Sequence, residues 1–191
     1  MDEFGYHLED SAINDLVMLM GATWDSVGTS NRIIGDLEAS DLLTCPALLI
    51  TDQHSVALSI DDNEDLVGGD YETLTILKAV PIGESIKKAR KQGTLFFHGK
   101  GERVRSIHLI REEVTQISNG TPTFQISSDS GVVIALESVV IRLQRRGLDG
   151  FDFLLAQAPS LDEVSFYRSD QGWPMSLTVT HEFRRDLIPL T

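Results

Sequence analysis

Basic side chains are nearly missing from the front of this chain. Between Met1 and Val80 there are two, Arg32 and Lys78, against 16 acids running from Asp2 to Glu72. The complete chain of 191 residues has 16 Lys and Arg against 29 Asp and Glu, a formal charge of −13. The deficit of cations therefore belongs to the first part, and the remainder is close to neutral. So few bases argue against DNA or RNA as the main partner, because affinity there rests on Lys and Arg neutralising phosphates. Cysteine is nearly absent as well. Cys45 stands alone and cannot form an internal disulfide, which suits a reducing compartment. No apolar run approaches the roughly 20 residues of a spanning helix. The opening Met1-Asp2-Glu3-Phe4 lacks the positive flank and apolar stretch of a signal peptide. The expectation is a cytoplasmic protein without membrane contact.

With 41% hydrophobic residues the chain can bury a real core, so global disorder is not expected. Asp10 to Met20 reads as a short amphipathic helix: Ile13, Leu16, Val17 and Met20 recur at helical spacing, Asp10 or Ser11 can cap it, and Gly21 can stop it. Period-two alternation follows. Leu48 to Thr51 and Val56 to Ile60 flank Asp52-Gln53-His54-Ser55, a hairpin signature, and Tyr71 to Leu77 reads as a third strand. The segment 81–93 breaks the β pattern. It carries Lys87, Lys88, Arg90 and Lys91 in a candidate basic helix closed by Gly93.

Strands resume at Leu95 to Phe97, Val104 to Ile110 and Glu113 to Ile117. A second hairpin is expected from Thr123 to Ser127 and Val132 to Leu136 across Ser128-Asp129-Ser130-Gly131. Val139 to Leu143, Asp152 to Leu155, Phe166 to Arg168 and Met175 to Phe183 complete the β set, and Arg184 to Leu190 is too polar for a core helix and suits an edge strand or tail. The expected fold is α+β and mainly β, a short N-terminal helix followed by antiparallel meander sheets. The expected division is 1–80 (helix and first β unit), 81–93 (basic connector) and 94–191 (second β unit). An internal echo supports duplicated β units: Ile50-x5-Val56-x-Leu58-x-Ile60 matches Ile126-x5-Val132-x-Ile134-x-Leu136.

The densest polar stretch is Asp61 to Glu72. As a calcium loop it would offer Asp61, Asn63, Asp65 and Glu72 at the ligand positions, but Leu66 occupies the place that wants glycine and strands, not helices, flank it. A solvated hairpin loop turning at Gly68-Gly69, or a charged docking loop, fits better. The five histidines show no zinc spacing, and no nucleophile elbow, dinucleotide fingerprint or kinase signature occurs. Cys45, beside Pro46 and among apolar and acidic neighbours, reads as a packed structural thiol. No catalytic residue, metal or cofactor is assigned.

The function class this charge favours is a non-enzymatic binding protein that engages a basic protein partner. The partner-binding residues expected are Asp61, Asp62, Glu64, Asp65, Asp70 and Glu72, with Trp173 as an interface anchor. Immunity proteins and antitoxins that neutralise cationic nucleases use the same physics, a likeness of charge and not of motif. Two alternatives stand beside it. One is a hydrolase-like enzyme that assembles His98, His108 or His181 with carboxylates. The other is a self-associating homodimer that pairs Lys87 to Lys91 with a second copy's acidic segment.

Overall fold

The computed structural model describes residues 1–29, 32–37, 40–67, 70–81, 94–146, 152–168 and 178–191. Among these it is mainly β, with two antiparallel sheets and one α-helix. The eight-stranded sheet has the order β13 (Val179–Pro189), β9 (Ser106–Ser118), β10 (Thr121–Ala135), β11 (Val140–Arg145), β12 (Asp152–Ala158), β4 (Ser40–Thr44), β3 (Arg32–Leu37). An additional strand, β1 (Asp2–Tyr6), joins β10 in parallel. The five-stranded sheet runs β7 (Asp70–Pro81), β6 (Ser55–Val67), β5 (Ala47–Thr51), β2 (Trp24–Thr29), β8 (Thr94–Phe96). Chain order and sheet membership differ: β3 and β4 pair into the eight-stranded sheet, while β8 returns to pair with β2.

One core lies between the sheets. Leu49, Leu58 and Leu77 from the smaller sheet meet Ile107, Val132, Ile141 and Leu143 from the larger. Helix α1 (Asp10–Val17) adds Ala12 and Leu16, spaced one turn apart. The helix is shorter than its periodicity suggested. Glu9, not Asp10 or Ser11, is its N-cap, and no side chain caps it. Beyond Val17 the chain tightens, with Leu19 and Met20 N–H groups donating to Leu16 and Val17 carbonyls. Gly21, at φ +76, then donates to the Val104 carbonyl. β1 was not anticipated: only Phe4 and Tyr6 alternate inward, against Val114, Phe124 and Ile126.

The hairpin around Asp52-Gln53-His54 is as expected, closed by Thr51 Oγ1 donating to the His54 carbonyl at 2.7 Å. The second expected hairpin is not a hairpin. Ser128 to Gly131 lies inside the continuous β10, where a bulge falls between Asp129 and Gly131. The reversal sits earlier, at Asn119 (φ 49) and Gly120 (φ 77), the residue types that accept a positive φ and so close a two-residue hairpin. Ser106 to Ser118 is accordingly one strand rather than two. The internal echo thus sets the β5–β6 hairpin beside a single strand. Gly131 has its own reason: a Cβ there would lie 2.1 Å from the Leu143 carbonyl oxygen of β11. Phe166 to Arg168, expected as a strand, is irregular chain following the 3₁₀ turn Leu161–Glu163, and packs with Leu161 and Val164 over Ile110, Val133 and Val140 on the outer face of the large sheet.

Candidate functional site

The acidic segment is not a loop. Asp61, Asp62, Glu64 and Asp65 lie on β6, and Asp70 and Glu72 on β7, in register with one another: Asp61 opposite Ile76, Asp62 opposite Thr75, Glu64 opposite Thr73, Asp65 opposite Glu72. A calcium loop cannot form from this stretch. Extended chain spreads Asp61, Asn63 and Asp65 over roughly 13 Å at strand rise, whereas a cation site needs its ligands curled around one point. Among the described residues, no group of three or more His, Cys, Asp or Glu is placed to hold a metal.

What positions these acids is a change in pairing along β6. Its partner β5 pairs through Ser55 to Leu58. The ladder with β7 continues to Val67 and Asp70, so the outer part of the hairpin is a two-stranded ribbon. Its base is anchored by Leu58, Ile60, Leu77 and Ala79 in the core. Such a ribbon is marginal alone, and setting Asp65 opposite Glu72 adds nothing to its stability. Asp61 and Asp62 are exposed. Lys78 reaches back to Asp61 at 2.6 Å; hydrogen bonding and charge from Asp61, with a smaller contribution from Glu9, raise the Lys78 pKa.

Four arginines of the later segment serve acids of that same segment. Arg105 pairs with Glu137, Arg184 with Glu113 and Asp186, Arg111 with Asp129, and Arg185 with Glu112. Toward the acidic half, Lys100 reaches Asp25 at 3.3 Å.

In two of those pairs the carboxylate is buried and its arginine partly so. Asp129, 0% exposed, accepts from Arg111 Nε at 2.8 Å and Nη2 at 3.2 Å, and from the Leu8 N–H at 2.8 Å. On that side of β10, β1 ends at Tyr6↔Ser128 and β11 begins at Gly131↔Gln144. Asp129 lies in the gap and ties the chain leaving β1 to the sheet. On the outer face, Glu112 (1% exposed) accepts through Oε1 from Arg185 Nε and Nη2 at 2.9 and 2.6 Å and from Gln144 Nε2 at 2.9 Å. Gln144 exchanges hydrogen bonds with the backbone of Tyr167, Arg142 donates to the Ser165 carbonyl, and Arg185 sits over the Phe166 and Phe183 rings at 4.9 Å. Burial, then the neighbouring Arg185, pushes the Arg142 pKa down to about 10. This layer fastens Val164 to Arg168 across the sheet.

A cleft of about 490 Å³ opens between Gly5 to Glu9, the first turn of α1 at Ser11 and Ala12, and Leu77 to Val80 of β7. His7 lines it, with Nδ1 3.7 Å from Asp129 Oδ1. The histidines singled out from sequence go elsewhere: His98 stacks on Phe96 at 6.3 Å between centroids, His108 Nε2 lies 3.1 Å from Ser106 Oγ, and His181 is on edge strand β13. Burial lowers the His108 pKa. Cys45 packs against the core as expected and accepts the Ile60 N–H at 3.1 Å; burial pushes its thiol pKa up, with Asp61 and Asp152 adding to the rise.

Of the expected partner-binding residues, the six acids are thus gathered on one ribbon, while Trp173 lies outside the described residues, as does the Lys87 to Lys91 cluster. Sequence reasoning missed Asp129, Glu112 and Arg142. A signal existed: Glu112 falls in phase with Ile110 and Val114, and Arg142 with Val140, so polar side chains occupy buried positions of apolar alternation on the outer face. No helix among the described residues is long and apolar enough to cross a membrane. No protein-family model, no curated protein and no solved structure matches the chain.

Proposed function

We propose that this is a non-enzymatic, cytoplasmic binding protein that engages a basic protein through the β6–β7 ribbon. One observation carries the reading: Asp61, Asp62, Glu64, Asp65, Asp70 and Glu72 share a two-stranded extension whose nearest cation along either strand is Lys78. Carboxylates held beyond the sheet create a coherent negative field that speeds encounter with a cationic surface. The one like-charge pairing in register, Asp65 opposite Glu72, does not favour the ribbon, which is sensible where the charge serves a partner rather than the fold. The partner fits the class of cationic nucleases, whose phosphate-binding cleft an acidic surface can occlude, in the manner of immunity proteins. A pull-down with a cationic nuclease as bait, repeated from about 50 to about 500 mM salt, tests it. Capture should fall as salt rises, and reversing Asp61, Asp62, Glu64 and Asp65 to lysine should abolish it. Capture indifferent to that reversal rejects the reading.

A further inference from the structure

We infer that the cleft beside β7 receives an extended basic segment of the partner, which adds to the free edge of β7 as a further strand. This rests on the reading that the acidic ribbon engages a basic protein, and it supplies the binding mode.

The cleft faces an edge and not a sheet face. Successive residues Leu77, Lys78, Ala79 and Val80 all line it, although their side chains alternate between core and solvent: Leu77 and Ala79 are buried, Lys78 and Val80 exposed. Only the rim of a strand presents both parities to one cavity. β7 is terminal in its sheet, paired with β6 alone. Among the described residues, no backbone hydrogen bond other than that pairing engages Leu77 to Val80. Alternate N–H and C=O groups of this stretch therefore point into the cleft, the arrangement that captures extended peptides. Four residues offer roughly 13 Å of edge. Pro81, which has no N–H, ends the ladder. Val80, 48% exposed, supplies an apolar contact beside it.

Charge selects the occupant. Within the cleft Glu9 stands against Lys78, which Asp61 engages at 2.6 Å, so the pull on a cation comes from the β6–β7 ribbon that continues this edge with its six acids. A second copy is the wrong occupant: it carries the same net charge of −13 and is repelled at low salt, whereas a basic segment is attracted.

The test uses the full-length protein and a blocked heptapeptide of alternating lysine and valine, compared with two versions N-methylated at the alternate amides of either set. Strand addition uses one set of peptide N–H groups and leaves the other in solvent. The parent peptide should bind at low salt. One methylated version should lose at least about tenfold in affinity and the other stay close to the parent. Amide exchange of Leu77 to Val80 should slow on binding of the parent. No binding of the parent, or both methylated versions binding like the parent, overturns strand addition. Charge reversal at Asp61, Asp62, Glu64 and Asp65 that leaves capture of the basic protein intact overturns the acidic docking reading itself, so the two failures are distinguishable.

Discussion

Glu112 and Asp62 are both carboxylates near the middle of 13-residue strands, and they live in opposite worlds. Glu112 is 1% exposed and receives three hydrogen bonds on one oxygen from Arg185 and Gln144. Asp62 is exposed on a ribbon beyond the sheet. The buried region matches negative to positive charge because an unmatched ion there would cost several kcal/mol, about 3–5 when one partner is removed. The ribbon can leave negative charge in excess because water and salt screen it. Charge is thus structural in one region and available to a partner in the other.

The largest way to break that comparison is inside. Replacing Asp129 with alanine leaves Arg111 and the Leu8 N–H without their acceptor and should lower the unfolding free energy in urea by about 3–5 kcal/mol. Asp129→Asn, which keeps an acceptor, should lose less. Next comes Gly131→Ala. The added carbon meets the β11 backbone, which cannot yield as a side chain would, and about 2–3 kcal/mol should be lost in the same assay. Reversing the four acids on β6 should do the opposite kind of thing: the melting temperature should hardly move, while capture of a basic protein disappears.

The smallest effect concerns His108. Burial lowers its pKa below the usual 6.5, so the fold favours the neutral ring. The stability this contributes is complete above the unfolded value and is lost as pH falls toward the folded one. Urea midpoints between about pH 7.5 and about pH 5.5 should therefore fall less steeply in His108→Gln than in the parent protein. Equal slopes would show that His108 plays no part.

Much of the fold was legible locally. Alternation in Leu48 to Ile60 and the polar turn at Asp52 and His54 sufficed for the β5–β6 hairpin, because its partners are neighbours in sequence. The same logic failed at Ser128 to Gly131. Turn-forming residues there have other work: Asp129 binds Arg111 and Leu8, and Gly131 admits the β11 backbone. Asn119-Gly120, the true reversal, is the stronger turn signal, because both residue types accept a positive φ. The acids of the ribbon stand out in the sequence as residues, but their density suggests a loop where the chain is in fact extended and paired. Thr73, Thr75 and Leu77 already marked one of the two strands.

From the sequence alone came the lopsided charge, the mainly β character, the short helix and the packed thiol at Cys45, since composition and near-neighbour periodicity suffice for each. Tertiary structure alone decided which charges are silenced. Leu8 and Asp129 are 121 positions apart, and Glu112 and Arg185 are 73. Pairing and dehydration act through space, so periodicity can mark Glu112 as buried but cannot name the distant arginine that neutralises it.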